Sequence, residues 1–179
     1  MTASKTKSIN MKFNALYSYI LNTNYRSFGG VFGVFLSVLS LIFVILMWDR
    51  MQINQRVLFL IIGLTFTVIN PVMLAFKAYK QLKLSPSYKK PLEYTFGDEG
   101  ITVAQGELSQ EISWDQICRI MMTGSVLAIY TSRVHAFVIP LSELGNDRGK
   151  IIASVVQFTA EYKPLLSKSL KEYQSGKGI

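Results

Sequence analysis

The residues best suited to nucleophilic chemistry in this chain are its single cysteine, Cys118, and its single histidine, His135. A histidine base needs a nucleophile beside it, and the sequence fixes no serine or cysteine near His135. One cysteine also excludes an intrachain disulfide and a cysteine-based metal cluster. Because Cys118 lies in an apolar, strand-like run, we expect a buried, inert thiol. His135 begins another such run, and we expect it to be structural.

Four acidic residues offer a second kind of chemistry, since paired carboxylates can act as general acid and base. The four residues, Asp98, Glu99, Glu107 and Glu111, occupy predicted turns and an exposed strand, which favours solvated surface charges. The sequence contains no phosphate-binding loop, dinucleotide fingerprint or metal motif. We therefore predict no catalytic residues, no cofactor and no metal. Nearby, we expect the ring of Trp114 to anchor a corner of the chain and Asp115 to cap the turn that follows it.

Two uncharged apolar runs dominate the first half of the chain, at residues 28–48 and 57–76. Each is close to the roughly 20 residues that a helix needs to cross a bilayer. A cleaved signal peptide is disfavoured because the first run begins only at residue 28 and is too long for a signal-peptide core. The sequence therefore predicts a membrane protein anchored by a two-helix transmembrane hairpin.

Positive charge flanks this hairpin on one side. Residues 1–27 contain four basic residues and residues 77–91 contain five, with no acid in either segment, whereas residues 49–56 carry a net charge of only +1. Since Lys and Arg near membrane ends stay on the cytoplasmic side, we expect both termini in the cytoplasm. Residues 92–179 hold eight basic and ten acidic residues, so the overall net charge of +8 does not indicate a nucleic-acid partner.

Lys77, Lys80 and Lys83 recur every third residue just after the second run. In a continuing helix they would lie along one side, where anionic lipid headgroups could bind them. The same residues would also serve simply as the topology signal, and both interpretations remain open.

Small and polar residues interrupt the apolar runs. Gly29, Gly33 and Ser37 recur every fourth residue, and Gly63 lies in the second run, a spacing that lets helices approach closely. Packing within the hairpin is favoured, and a homodimer face is the alternative. Asn70 and Pro71 predict a bend whose amide bonds across to the first run. An ion or substrate path is disfavoured because no ionisable residue lies in either run.

After residue 91 the sequence alternates between short strands and turns. Six strands are predicted in one meander that curls into a bent β-barrel or sandwich. Near the end, Asn146 or Asp147 precedes a helical face containing Ile151, Val155 and Phe158, which should cover one side of the sheet. The predicted strands are residues 92–96, 101–105, 107–113, 119–123, 126–130 and 134–140, followed by that helix and a further helical piece at residues 165–170.

The N-terminal segment alternates over residues 8–13 and is compatible with a helix over residues 14–25. A strand there could join the later sheet, which would make the hairpin an insertion within one domain. The predicted organisation is thus an N-terminal strand and helix (1–27), the hairpin (28–76), a basic juxtamembrane linker (77–91) and a cytoplasmic β-rich domain with a C-terminal helix (92–179).

This arrangement resembles the YcxB-like family of bacterial membrane proteins. The resemblance rests on the order of segments, the Leu-Glu-Tyr-Thr-Phe-Gly-Asp-Glu-Gly-Ile sequence at residues 92–101, the Ile-Ser-Trp-Asp-Gln-Ile sequence at 112–117, and Phe-Val-Ile-Pro at 137–140. It implies an α+β protein whose cytoplasmic domain is similar to the pleckstrin-homology fold. It implies no reaction and no catalytic residue.

Two functions are compatible with these features. One is a membrane-anchored, non-catalytic protein whose cytoplasmic β domain binds a membrane-associated protein partner. The alternative is a bacterial immunity or self-protection protein that neutralises a membrane-acting toxin, which should then be encoded next to its toxin. Enzymes and transporters are disfavoured for lack of suitable ionisable residues, and a homo-oligomer remains possible.

Overall fold

The computed structural model describes residues 5–162, 164–167 and 170–171. The chain divides into two compact units. We call Met1–Tyr19 together with Leu82–Ile179 the sheet unit, and Ile20–Gln81 the helical unit. The protein is therefore an α+β chain in which the helical unit interrupts the sequence of the sheet unit.

Four helices carry the chain through the helical unit. Helix α1 (Phe13–Tyr25) begins in the sheet unit, and α2 (Phe28–Met47) follows after a break of two residues. After a 3₁₀ turn, α3 (Ile53–Leu64) continues through a π-helical turn (Thr65–Ile69) into α4 (Asn70–Leu84). The two long helical stretches contain the two predicted apolar runs and extend beyond them.

Capping explains where α2 begins. The hydroxyl Oγ of Ser27 accepts a hydrogen bond from the backbone N–H of Gly30 at 3.0 Å, which satisfies one of the unpaired donors at the start of a helix. At the start of α3, Gln52 and Gln55 form a reciprocal capping box. These polar caps separate the helices that a run of apolar residues would otherwise merge.

Sheet A is a four-stranded antiparallel sheet with the order β1-β2-β3-β4. A two-residue turn joins β3 to β4, and Gly106 has a φ of +64° there, a conformation that glycine adopts without strain. The strands are β1 (Lys5–Ile9), β2 (Leu92–Phe96), β3 (Gly100–Gln105) and β4 (Leu108–Ser113).

Sheet B has the order β7-β6-β5-β8 and contains three antiparallel strands plus one short parallel strand. Two helices follow β7 in the chain, before β8. The elements are β5 (Arg119–Met122), β6 (Val126–Tyr130), β7 (Ala136–Pro140), α5 (Leu141–Leu144), α6 (Arg148–Thr159) and β8 (Leu165–Leu166).

Strand β1 pairs with β2 over its whole length, from Lys5 opposite Phe96 to Ile9 opposite Leu92. This pairing confirms that the N-terminal strand joins the later sheet, with the helical unit inserted between the two strands. The strand lies at residues 5–9 rather than at the predicted 8–13, because the helix already begins at Phe13 with the Leu16 N–H bonded to the Lys12 carbonyl.

The main core lies between the two sheets and α6. It joins inward-facing residues of sheet A, such as Tyr94 and Ile101, to residues of sheet B, such as Ile120 and Leu127, and to the apolar face of α6. This packing confirms that the C-terminal helix covers the sheets. A smaller cluster packs Ala15 of α1 against the opposite face of sheet B, which explains why all five residues of β6 are buried.

Of the two predicted β architectures, the barrel was wrong, whereas a sandwich agrees with two sheets that share one core. The described residues form two separate sheets and no closed barrel, because the chain turns at the 3₁₀ corner Trp114–Gln116 and then begins sheet B. A second detail was also wrong. Leu165 and Leu166 form β8 instead of a helix, since the Leu165 N–H bonds the carbonyl of Cys118 at 3.0 Å.

Candidate functional site

The long helices of the helical unit bury their small residues and expose their large ones. In α2 the buried residues are Gly30, Gly33, Ser37, Ser40 and Val44. In the most apolar segment of the first long helical stretch only 28% of the residues are buried, and in that segment of the second stretch only 11% are buried. The exposed large side chains of α2 are Phe28, Val31, Phe32, Phe35, Leu36, Val38, Leu39, Ile42, Phe43, Ile45 and Leu46.

Glycine and serine lie where α2 meets α3 and the π-helical turn that follows it. A Cβ on Gly33 would collide with the ring of Phe66, and one on Gly63 would collide with Leu41. The hydroxyl of Ser37 donates to the Ile62 carbonyl at 2.9 Å. These residues allow the helices to approach closely while the serine hydroxyl is satisfied by a backbone acceptor.

Gly29 lies outside this contact, because a Cβ added there would meet nothing within 4 Å. Its neighbour Gly30 is instead the buried position, packed against the backbone of Asn24 in α1. Spacing alone did not distinguish the two glycines, since the partner of Gly30 belongs to α1 and not to the second apolar run.

The Asn70–Pro71 pair follows the π-helical turn. In that turn the Asn70 N–H bonds the Thr65 carbonyl, and the next bond would need an N–H that Pro71 lacks. The Phe66 carbonyl accepts instead from the hydroxyl of Tyr25 at 2.6 Å.

The side-chain amide of Asn70 donates to Asn24 Oδ1 at 3.0 Å. Asn24 belongs to α1, so the predicted partner in the first apolar run was wrong. The cause is that α1, which the sequence marked only as helix-compatible, supplies the polar groups for this bend.

Lys77, Lys80 and Lys83 all lie in the last turns of α4, and all three side chains are exposed. The predicted linker is therefore helical as far as Leu84, before a 3₁₀ turn at Pro86–Tyr88. Positions three residues apart in a helix lie near one another, which places the three ammonium groups on one side of α4.

Cys118 and His135 lie at the same end of sheet B, where the backbone of Cys118 bonds Tyr130 and that of His135 bonds Thr131. Cys118 is exposed, contrary to the expected burial, because it precedes β5 and its backbone N–H bonds the Tyr130 carbonyl while its side chain remains accessible. His135 is exposed in the turn before β7. Within the described residues, no group of three His, Cys, Asp or Glu side chains could hold a metal ion.

Trp114 joins sheet A to α6. Its indole N–H is shared between the carbonyls of Gly97 and Asp98, at 3.2 and 3.0 Å, and its ring stacks on Phe158 of α6 with 5.4 Å between centroids. The ring therefore anchors the corner as predicted. Asp115 is exposed beside it.

Two ion pairs tie the start of the sheet unit to its C-terminal helices. Lys7 Nζ lies 2.7 Å from Asp147 Oδ2, and Lys12 Nζ lies 2.6 Å from Glu143 Oε1. The hydrogen bond from Lys12 lowers the pKa of the Glu143 carboxyl below its usual value, and the Asn10 backbone N–H acts in the same direction.

A groove of about 470 Å³ opens at one end of the sheet unit. Its apolar lining includes Met11, Leu92, Leu108 and Phe137, and Tyr94 also lines it. Tyr94 is 1% exposed, and burial raises the pKa of its hydroxyl above its usual range. The alternation of Leu92, Tyr94 and Phe96 could have identified the inward face of β2, but no sequence signal indicates that the sheets leave an opening there.

Comparison with known proteins gives a match to a family. The family model described as YcxB-like protein matches residues 96–151, which run from the last residue of β2 into α6. No curated protein and no solved structure matches the chain.

Proposed function

We propose that this chain, which residues 96–151 assign to the YcxB-like family, is a non-catalytic anchor protein of the cytoplasmic (inner) membrane. In this proposal the helical unit crosses the bilayer twice, both termini lie in the cytoplasm, and the sheet unit binds a membrane-associated protein partner.

The observation that carries the proposal is that the two long helical stretches expose most of their apolar residues. A core helix of a soluble protein is mostly covered, whereas the most apolar segments of these two stretches are only 28% and 11% buried. Exposed apolar surface costs about 25 cal/mol per Å² of free energy in water, but it has no such cost in contact with lipid tails. The first stretch, Phe28–Arg50, has 23 residues, enough for roughly 30 Å of hydrocarbon.

The polar groups of these helices support the same environment. The hydroxyls of Ser37, Ser40, Thr65 and Thr67 each donate to a backbone carbonyl within the helical unit. A group in hydrocarbon has no water to bond, so internal partners are required there.

The ends of the helical unit carry the side chains expected at membrane surfaces. At the loop end, the guanidinium of Arg56 lies 4.7 Å from the centre of the Trp48 ring, a pair suited to the headgroup region. At the other end are the exposed lysines of α4, which support a cytoplasmic position for both flanks.

The sheet unit favours binding over catalysis. Asp98, Glu99 and Glu111 line one cavity of about 310 Å³ on sheet A, but its described lining includes no His, Cys, Lys or Arg to act with them. Cys118 and His135 are exposed at one end of sheet B. Two four-stranded sheets sharing a core with α6 support a pleckstrin-homology-like architecture, modified by the helical insertion after β1. Tethering to a bilayer raises the effective concentration of a partner on the same surface, so a modest interface would suffice.

The experiment uses the full chain in cells, with a photo-crosslinking residue at Leu108 on the sheet unit and, as the matched control, at Glu161 beyond α6. Both positions are exposed, so neither replacement disturbs the core. We expect alkaline carbonate to leave the chain in the membrane fraction and Leu108 to crosslink a membrane-associated protein. Release by carbonate would overturn the anchor, and absence of any crosslinked protein from the sheet unit would overturn the binding role.

A further inference from the structure

Each sheet ends in an unpaired strand next to the groove. Strand β4 is the last strand of sheet A and β7 is the last strand of sheet B, and neither has a second partner strand within the described residues. Unpaired edges are usually blocked by Lys, Pro or a bulge. The six residues of β4, Leu-Ser-Gln-Glu-Ile-Ser, include neither Lys nor Pro, whereas the opposite edge strand β1 carries Lys7.

The backbone register shows which groups of β4 point outwards. Opposed residues of antiparallel strands alternate between bonded and non-bonded pairs. Trp114 N–H bonds the Glu99 carbonyl, so in the same register Ile112, Gln110 and Leu108 face β3. The N–H and C=O groups of the alternate residues, Ser109, Glu111 and Ser113, therefore point away from the sheet.

The same reasoning applies to β7. Thr131 N–H bonds the His135 carbonyl and Leu141 N–H bonds the Ser125 carbonyl, which makes Phe137 and Ile139 the residues bonded to β6. The backbone groups of Ala136 and Val138 point away from β6. The side chain of Phe137 packs against the main core and lines the groove.

The groove lies between residues of these two edges. Its lining includes Leu108, Ser109 and Gln110 from β4 and Ala136, Phe137 and Val138 from β7. Leu108 is a large apolar side chain that is 79% exposed at its rim. At the inner face, Tyr94 is buried.

An occupant of this groove would cover unpaired backbone groups, which is costly unless the occupant supplies N–H and C=O groups of its own. A lipid chain supplies none, whereas an extended polypeptide supplies both and can place alternate side chains in the groove. The charge on β4 selects further. Glu111 on this strand and Glu107 beside it are exposed, and β4 contains no Lys or Arg, whereas the described lining of the groove itself carries no charged residue.

We propose that the groove between β4 and β7 binds an extended segment of a partner protein, with apolar residues at alternate positions and basic residues facing β4. The segment adds a strand to the free edge of β4 and inserts an apolar side chain next to Leu108 and Phe137. This inference rests on the proposed function and names the surface and the chemistry of the protein partner.

The test measures binding of a fluorescent peptide of alternating valine and lysine to the full chain in nanodiscs of neutral lipid. Ser109→Pro removes one outward N–H, while Ser109→Ala removes the side chain and keeps the N–H. We expect Ser109→Pro to weaken binding about tenfold, as expected for a lost hydrogen bond with a local steric clash, and Ser109→Ala to change it less than about twofold.

A second pair of probes covers the case in which Ser109→Pro disturbs folding. The same peptide, N-methylated at alternate positions, loses its edge donors without any change to the protein, and a glutamate-for-lysine version reverses its charge. We expect both to bind at least about tenfold more weakly. Equal binding of the three peptides overturns the groove proposal, and so does equal binding by Ser109→Pro, even where the Leu108 crosslink still supports a partner-binding sheet unit.

Discussion

Trp114 shows how one side chain holds a corner through two different interactions. Its ring stacks on Phe158, and its N–H reaches the carbonyls of Gly97 and Asp98 in the preceding turn. The corner could be predicted from its sequence because a large aromatic residue next to Asp is typical of a buried turn. The stacking partner Phe158 was not predictable, since it lies far along the chain from Trp114.

We expect Trp114→Phe to keep the stacking and lose the donor, which should lower the free energy of unfolding by about 1 kcal/mol. Trp114→Ala should lower it by about 3–5 kcal/mol because it also leaves a cavity. Thermal unfolding of the full chain in detergent, followed by circular dichroism, measures both. Equal losses from the two substitutions would show that the indole ring has no packing role.

Glu143 provides a pH-dependent interaction. Because Lys12 lowers the pKa of this carboxyl from its usual 4.5, the ionised form is favoured in the folded state. Its contribution is present above the pKa of the unfolded chain and is lost as the pH falls through the folded pKa. The pair is partly exposed, so the contribution is at most about 1 kcal/mol.

Glu143→Gln should therefore lower the melting temperature, and this difference from the wild type should be constant well above the unfolded-state pKa and shrink as the pH falls through the lowered folded-state pKa. Asp147→Asn is a comparison for the neighbouring pair with Lys7. A difference between wild type and Glu143→Gln that grows on acidification would contradict the direction of the pKa shift.

At the scale of elements, the glycines of α2 allow a matched comparison. Gly33 faces the ring of Phe66, whereas Gly29 faces open space. We expect Gly33→Val to separate α2 from the second long helix and to destabilise the helical unit by about 1–3 kcal/mol through overpacking. Gly29→Val should have little effect on this contact.

Unfolding in mixed detergent micelles gives the stability of both variants, and self-association in the same micelles tests the alternative use of these glycines. Destabilisation by Gly29→Val alone, or loss of a dimer in that variant, would favour a face between two copies of the chain. The glycine spacing predicted close helix packing, but only the positions of α1 and Phe66 show which glycine has which neighbour.

The bend at Pro71 couples two further residues. Tyr25→Phe leaves the Phe66 carbonyl without the hydroxyl that bonds it, and we expect a loss of roughly 0.5–1 kcal/mol, typical of the net contribution of one hydrogen bond. Pro71→Ala restores an N–H that can bond this carbonyl within the helix. In the Pro71→Ala background, Tyr25→Phe should therefore cost less, and an unchanged cost in a double-mutant cycle would contradict this account.

At the scale of the whole molecule, sequence patterns located the apolar helices, most strands and the C-terminal helix. Period-two alternation and turn residues are local signals, so β2 and β6 were predicted with the correct bounds. The division into two sheets, the parallel strand β8 and the groove depend on which distant segments meet. Such long-range packing leaves no local pattern, which is also why the exposure of Cys118 was not predicted.

The insertion of the helical unit into the sheet unit has a direct consequence for truncation. Residues 92–179 lack β1, which pairs along the whole of β2 and places Ile9 in the main core. They also lack Ala15, which covers the outer face of sheet B, and Lys7 and Lys12, which pair with acids near α5 and α6. We expect this fragment to be unstable, with β2 as an unprotected edge prone to aggregation.

A chain in which residues 5–19 are joined to residues 82–179 by a flexible linker should restore a cooperative unfolding transition, because it returns β1 and the start of α1 to their partners. Lys7→Ala with Ile9→Ala in that linked chain should remove much of the gain, since Ile9 contributes to the core and Lys7 to an ion pair. Urea unfolding of the fragment, the linked chain and the variant measures the three stabilities. A fragment 92–179 as stable as the linked chain would show that the sheet unit does not need its N-terminal strand, and the helical unit would then be a separate anchor and not an insertion within one folded unit.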